Sequence, residues 1–352
     1  MKIAILGPVT TKTYFGGVAV FDEELAAGFK HNEWEVVLIT NQKNADSEKN
    51  GVPVRMINAI SARKIIKEES PDIILASLQY AKYWRFCKEN AIRIYFLHGF
   101  FNQSYYGKLK SEAASLYQRL IAKQSHYVFA NSYFTKMVND QFFGIQTNEV
   151  FHLGVTSEYY SAILNTEVPK EKGAILYTGR LVSAKGIGNL LGAMKVLKDG
   201  GMPYKAYIAG DGPDKEKLEK YVAKNNLDVH FLGRVSQKDL VTYYSKAEIF
   251  VSLNPSEPYG IVFPEALLAR CKIVCPCTGG QVEYLMDYKD TVAFVDEASP
   301  DAVANGIERL GKSPVAAELS DKYIQTFRYD TVAKEMIDYL NVRGKNRWKL
   351  II

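Results

Sequence analysis

Short apolar runs alternate with helical patterns along nearly the whole of this chain, and that alternation limits its fold more than any other feature. A first series of expected strands comprises Lys2–Leu6, Glu35–Ile39, Asp72–Ala76, Arg93–Leu97, His126–Ala130 and Glu149–His152. A second comprises Ala174–Thr178, Lys205–Ala209, Val229–Leu232, Glu248–Ser252, Lys272–Cys275 and Val292–Val295. Helical patterns fill most of the gaps, among them Val18–Lys30, Lys110–Ala122, Pro213–Asn225 and Gln237–Lys246. Strands that alternate with helices build parallel sheets covered on both faces. The pattern breaks at Ala162–Lys172, which is polar and aperiodic and reads as a linker. The expected fold class is therefore α/β, with two doubly wound domains. In such sheets ligands bind at the carboxyl ends of strands, so two domains facing across a cleft would hold a site there.

Length agrees with this division, since 352 residues exceed what one core usually covers. Hydrophobic residues at 47% and charged residues at 24% fit a soluble globular enzyme. No run approaches the roughly 20 apolar residues of a spanning helix. The N-terminal apolar run reads as a first core strand and is too short for a signal peptide, so a cytoplasmic protein is expected. Of the four cysteines, Cys271, Cys275 and Cys277 lie close together without zinc-knuckle spacing. They read as small buried apolar residues on a strand, with Cys275 and Cys277 on one face. No disulfide framework is suggested. No HxxxH or HExxH pair occurs, so no catalytic metal is expected. His31, His126, His152 and His230 read as ordinary packed or surface residues.

Charge is uneven. The chain carries a net +5, yet Lys82–Lys136 alone holds nine basic residues against two acidic ones. That excess points to an anionic partner for the N-terminal half.

Candidate chemistry sits where expected strands end. Glu257-Pro258-Tyr259-Gly260-Ile261-Val262-Phe263-Pro264-Glu265 places two carboxylates around a helix start. Pro264 lacks an N–H and belongs in a first turn, so the helix should open at about Gly260–Val262. Its unpaired N–H groups would favour a phosphate, with Glu257 just outside and Glu265 within the first turns. Gly179-Arg180 through Lys185-Gly186 follows an expected strand. A planar Arg fork and a Lys point charge together suit a pyrophosphate. Gly210-Asp211-Gly212-Pro213 is a turn leading into a helix, with Pro213 near the first helical position. Gly279-Gly280 with Glu283 closes another strand-to-helix loop. Gly16-Gly17 precedes the first helix, either as a plain turn or to let backbone approach a ligand. His98 follows a strand beside Gly99 and can bond a sugar hydroxyl or phosphate, or simply pack.

Taken in order, these segments resemble retaining glycosyltransferases of the GT-B fold, family 4, also called glycosyl transferases group 1. The resemblance covers essentially the whole length. Gly16-Gly17 matches the family's glycine loop, and Asn131-Ser132-Tyr133-Phe134-Thr135 its NSxxT helix start. Gly179 through Gly186 matches GRLxxxKG, Gly210 through Pro213 matches GDGP, and Phe231-Leu232-Gly233-Arg234-Val235 matches FLGxV. Glu257 through Glu265 is the E-x7-E signature, and Gly279-Gly280 with Glu283 fits GGxxE. One departure is Leu153-Gly154-Val155-Thr156, where the family usually has NGVD.

The resemblance implies a GT-B architecture of two Rossmann-like domains. Residues 1–165 would bind acceptor, completed by a C-terminal helix at about 329–352, and residues 166–328 would bind a nucleotide sugar. Arg180 and Lys185 would hold the diphosphate. Glu265 would bind ribose hydroxyls, and Glu257 would sit near the donor sugar. Val235 would meet the base through its backbone, beside Gly210, with Gly260, Ile261 and Val262 at the helix start. His98 would contact the donor sugar or order the acceptor side. The expected activity is retaining transfer from a UDP-sugar to a glycan or lipid-linked acceptor of bacterial surface polysaccharide, without a cofactor or metal. No nucleic-acid partner is expected. An epimerase on the same fold and a silent partner subunit are the alternatives, the latter disfavoured by intact motifs. Within residues 98–124, Phe100, Phe101, Tyr105 and Tyr106 lie beside Lys108 and Lys110. Aromatics beside cations suit an anionic membrane surface, and would make the protein peripheral on the inner leaflet. The competing reading is a solvated helix with its aromatics in the core.

Overall fold

The computed structural model describes residues 1–14, 16–101, 107–314, 316 and 319–348, with side chains as far as residue 343. Contacts divide the chain into two units, Met1–Thr156 with Gln325–Ile352, and Ser157–Ile324. The chain passes between them ahead of the stretch Ala162–Lys172, whose first residues close the helix Ser157–Leu164 and whose last begin a strand.

The first unit is built on an eight-stranded sheet. Its strands are β1 (Lys2–Leu6), β2 (Glu35–Thr40), β3 (Glu48–Lys49), β4 (Val52–Met56), β5 (Ile73–Ser77), β6 (Ile92–Leu97), β7 (Tyr127–Ala130) and β8 (Glu149–Val150). They lie in the order β3-β4-β2-β1-β5-β6-β7-β8. Every pairing is parallel except β3 with β4. The β3–β4 pair was not legible in sequence, because Val52-Pro53-Val54-Arg55-Met56 interrupts its apolar residues with Pro and Arg. The expected strand Glu149–His152 shrinks to the two residues of β8 at the sheet edge.

Period two along β1 sorts its residues between two cores. Ile3 and Ile5 join Phe21, Leu25 and Phe29 on one face of the sheet. Ala4 and Leu6 join Tyr80, Trp84 and Tyr95 on the other. The helix Gly17–His31 covers the first face together with the helix Tyr329–Trp348. That second helix presents Val332, Ala333, Met336, Ile337 and Leu340 to the same core. This is one stripe at helical spacing, and each large side chain so buried stabilises by roughly 1.5–3 kcal/mol. Val155 N–H donates to the Phe327 carbonyl at 2.8 Å, so the segment replacing NGVD is tied to the returning chain.

The second unit carries six parallel strands: β9 (Glu171–Thr178), β10 (Lys205–Ala209), β11 (Val229–Gly233), β12 (Ala247–Val251), β13 (Lys272–Pro276) and β14 (Val292–Val295). Their order is β11-β10-β9-β12-β13-β14. The order reverses between β9 and β12, the place where doubly wound sheets bind ligands beyond the strand ends. Two helices here begin with side-chain caps. Ser236 accepts from Asp239 N–H at 3.2 Å, and Ser299 accepts from Ala302 N–H at 3.2 Å with Pro300 beside it. Each such cap is worth about 1 kcal/mol.

The cysteine reading needs one correction. β13 ends at Pro276, so Cys277 lies beyond it and is exposed, while Cys275 and Cys271 are buried. The strand that would have placed Cys275 and Cys277 on one face stops between them.

Candidate active site

Three loops gather at the carboxyl ends of β9, β10 and β11. Gly179 N–H donates to the Ala209 carbonyl at 3.0 Å, Leu181 N–H to the Asp211 carbonyl at 3.0 Å, and Gly210 N–H to the Gly233 carbonyl at 2.7 Å. The fit at Gly210 excludes any side chain. A Cβ there would lie 1.8 Å from the Gly179 carbonyl oxygen, and the backbone has φ +153. Arg180 leaves this rim exposed to solvent, and Val235 follows β11 half-buried.

Beyond the switch point, the loop after β12 meets the loop after β9. Lys185 Nζ lies 2.7 Å from Glu257 Oε2. Asn254 Nδ2 donates to the same oxygen at 2.6 Å. The Glu257 carbonyl accepts from Gly280 N–H at 2.9 Å, so the GGxxE loop braces the first carboxylate. Tyr284 Oη donates to the carbonyls of Tyr259 at 2.9 Å and Gly260 at 3.0 Å, which fixes the turn into the helix. Ile261 caps that helix, Val262 is its first residue, and Leu268 its last. The helix start thus falls within the range expected from Pro264.

Glu265 is buried on this helix. Tyr244 Oη donates to Glu265 Oε2 at 2.9 Å and lies 3.0 Å from Thr178 Oγ1. Tyr159 Oη donates to the Glu265 backbone carbonyl at 2.8 Å, and the two phenol rings meet edge to face. Burial pushes the Glu265 carboxyl up to about 7, with the Tyr244 hydrogen bond opposing the rise. Burial first, then the nearby carboxylate, raises both phenols well above their usual range, so each stays a donor.

The remaining sequence candidates belong to the other unit. Gly16 caps the helix Gly17–His31 with extended backbone, and nothing lies within 4 Å of a Cβ built on Gly17. His98 follows β6, half-buried, and its Nε2 lies 2.9 Å from Ser77 Oγ. Burial lowers the His98 imidazole to about 3, so the ring is neutral. Tyr105 and Tyr106 fall outside the described residues. Phe100 and Phe101 are half-buried, and Phe100 packs edge to face on Phe134 with ring centroids 5.6 Å apart. Among the described residues no group of three His, Cys, Asp or Glu could hold a metal ion.

Residues 164–328 match the family described as glycosyl transferases group 1. The match takes in the whole six-stranded sheet of the second unit. Curated relatives carry related names. α-Monoglucosyldiacylglycerol synthase of Acholeplasma laidlawii is 26% identical over 222 residues, covering 59% of this chain and 53% of the relative. The putative teichuronic acid biosynthesis glycosyltransferase TuaC of Bacillus subtilis is 32% identical over 157 residues, or 43% of this chain and 38% of that one. The chain thus spans about half the length, or less, of the curated relatives it matches. Among solved structures, HepE of Anabaena in complex with UDP and glucose aligns with a TM-score of 0.75 at 17% identity, covering 97% of this chain and 100% of that one. Sucrose-phosphate synthase of Thermosynechococcus elongatus aligns at 0.77 and 18% identity, covering 98% and 99%. Two parallel α/β units of this topology, with these neighbours, make the fold GT-B. The matched segment holds Arg180, Lys185, Gly210, Val235, Glu257 and Glu265; His98, Gly16 and Gly17 lie before it.

Several contributors had no local sequence signal. Tyr159 and Tyr244 reach Glu265 from distant elements, and nothing beside them marks that role. Asn254 stands three positions before Glu257, where a pattern of polar side chains on one loop was readable.

Proposed function

We propose that this chain is a retaining glycosyltransferase. It takes a sugar from a nucleotide diphosphate, UDP by preference, and passes it to a glycan or lipid-linked acceptor in bacterial surface polysaccharide synthesis. The Lys185–Glu257 pair carries the reading. A half-buried cation stands at the ligand end of the second sheet and is held by a carboxylate that a diphosphate can displace as its partner. HepE is described with UDP and glucose, and the relatives named above with glycolipid and teichuronic acid synthesis, which supports donor and acceptor class alike.

In this reading Lys185 and Arg180 neutralise the diphosphate as the bond from sugar C1 to phosphate oxygen breaks and that oxygen takes the electron pair. An acceptor hydroxyl bonds to C1 on the same face and gives its proton to the departing phosphate. Fixed charges of this kind are worth most when they need no rearrangement during the step. Glu265 takes the ribose hydroxyls, Val235 the base, and Glu257 the donor sugar, while the Gly260–Val262 turn offers backbone N–H groups. Gly16 and Gly17 leave room for a ligand to approach backbone, and His98 orders the acceptor side. No metal is assigned to the step.

The helix Lys108–Gln124 supports a membrane-facing role. Leu109, Leu116 and Leu120 are 82%, 57% and 51% exposed, interleaved with exposed Lys108, Lys110, Arg119 and Lys123. No helix among the described residues is long and apolar enough to cross a membrane. We therefore place the acceptor side at an anionic inner leaflet, peripherally.

The test is a thermal-shift screen of UDP, GDP and ADP sugars, followed by product analysis with and without acceptor. A raised melting temperature with a UDP-sugar and an axial-retained linkage by NMR are expected. No shift with any nucleotide sugar overturns the donor reading. Isomerised donor in the absence of acceptor gives the epimerase instead.

A further inference from the structure

At the switch point of the first sheet, between β1 and β5, three polar side chains form a chain of contacts of which the transfer reading uses only His98. Asp22, on the helix Gly17–His31, is fully buried. Its Oδ1 accepts from Ser77 Oγ at 2.7 Å. Ser77 ends β5, is fully buried, and its Oγ lies 2.9 Å from His98 Nε2. The other oxygen, Asp22 Oδ2, is buried without a hydrogen-bond partner and sits 1.8 Å from where a Cβ on Gly7 would be. Phe21 and Phe96 wall the imidazole, with ring centroids 4.7 and 4.9 Å away. A polar group so enclosed costs free energy unless it serves a specified arrangement.

The serine proton decides the tautomer. Ser77 has one O–H, and it donates to Asp22. Contact with His98 then requires Ser77 Oγ to accept, so Nε2 must carry the imidazole proton. A neutral ring with Nε2–H has its lone pair on Nδ1. We propose that Asp22 and Ser77 are positioning residues that lock His98 in the Nε2–H tautomer, so that Nδ1 accepts a hydrogen bond from a carbohydrate hydroxyl. This rests on the reading above in which His98 orders the acceptor side. Burial keeps the ring neutral, as the proposal needs. Burial, with Glu23 adding to it, raises the Asp22 carboxyl well above its usual range against the Ser77 hydrogen bond, consistent with an oxygen left without a donor.

The test reads the tautomer directly. Long-range proton–nitrogen correlation spectra of histidine-labelled protein give one pattern per imidazole, and His98→Gln assigns the relevant one among the five. Wild-type His98 should show Nε2 protonated and Nδ1 bare. In Asp22→Asn the new amide donates to Ser77, the serine turns its proton toward His98, and the ring should switch to Nδ1–H. That variant should lose about a hundredfold in kcat/KM for acceptor, with the donor KM unchanged. Ser77→Ala should give mixed tautomers and a similar loss, while Ser77→Thr, which keeps the hydroxyl, should restore both. A wild-type Nδ1–H pattern overturns the proposal, and so does a tautomer that ignores Asp22→Asn. Normal acceptor kinetics in a variant with a switched tautomer also overturns it. The wild-type reading needs only the assigning His98→Gln variant to fold. Absence of any transfer by wild type, with the spectrum as stated, would count against the proposed function rather than against the lock.

Discussion

Lys185 Nζ lies 2.7 Å from Glu257 Oε2 although 72 positions separate the two in sequence. The loops after β9 and β12 meet there because those strands are neighbours where the sheet order reverses. Lysine is thereby held with its charge balanced by a carboxylate. Lys185→Ala should lower kcat/KM for transfer about 10²–10³-fold, the loss expected when one fixed stabiliser of developing negative charge is removed. Glu257→Gln should have the opposite effect on binding alone. Freed from its partner, Lys185 should hold UDP about twofold to fivefold more tightly by calorimetry, the worth of a partly exposed ion pair, even as transfer slows. Equal UDP affinity in both proteins would show that the pair does not compete with phosphate.

Glu265 makes stability depend on pH. An unfolded Glu titrates at about 4.3, whereas burial pushes this one up to about 7. Between those values the folded state holds more protons than the unfolded state, so stability falls as pH rises through the window. Above it the cost is on the order of 4 kcal/mol, since each tenfold change in proton affinity is worth about 1.4 kcal/mol. Glu265→Gln mimics the neutral carboxyl. Denaturation curves should therefore coincide with wild type near pH 3, below the unfolded value, and show a variant more stable by about 3–4 kcal/mol near pH 8. A variant less stable at both would mean that the carboxylate has partners that its burial does not suggest.

Gly210→Ala would set a methyl group against the Gly179 carbonyl, where a Cβ would lie 1.8 Å away. The atom in the way is backbone, so the loops after β9 and β10 would have to separate. A loss of about 2 kcal/mol or more is expected from overpacking and backbone strain together. Urea titration reads the loss, and weaker nucleotide binding should accompany it.

Lys272 is a structural cation. Its side chain is 3% exposed and bonds Glu248 Oε1 at 2.9 Å. It also donates to the carbonyls of Leu310 at 2.7 Å and Ser313 at 2.8 Å, closing the end of the helix Pro300–Gly311. Lys272→Met keeps the stem but strands a carboxylate and two carbonyls, at a cost of about 3–5 kcal/mol. Adding Glu248→Gln should return roughly half of that loss, since the amide leaves no buried charge unpaired. A double variant no better than the single one would place the loss in the carbonyls.

The exposed leucines of Lys108–Gln124 should govern membrane association. Flotation with anionic vesicles should recover wild-type protein, and neutral vesicles should recover much less. Replacing Leu109, Leu116 and Leu120 together with Gln should abolish the difference, since each buried leucine is worth about 1.5–3 kcal/mol. Equal recovery on both vesicle types would end the membrane reading.

The sequence by itself determined the strand–helix alternation, the second unit's strands within a few residues, and the loops that bear Arg180, Lys185, Gly210, Glu257 and Glu265. Those features are local. Apolar period, proline in a first turn and glycine at a strand end are each written within a few neighbouring positions. Only the tertiary structure decided which loops touch, because strand order sets that, and order is not a local property. The Tyr159 and Tyr244 hydroxyls on Glu265, the burial of Lys272 and the Asp22–Ser77–His98 contacts all join residues far apart in the chain. Cys277 shows the converse, since a single residue past the end of β13 turned an expected core side chain into an exposed one. Burial of a polar group follows from what the rest of the fold packs around it, and no window of sequence contains that information.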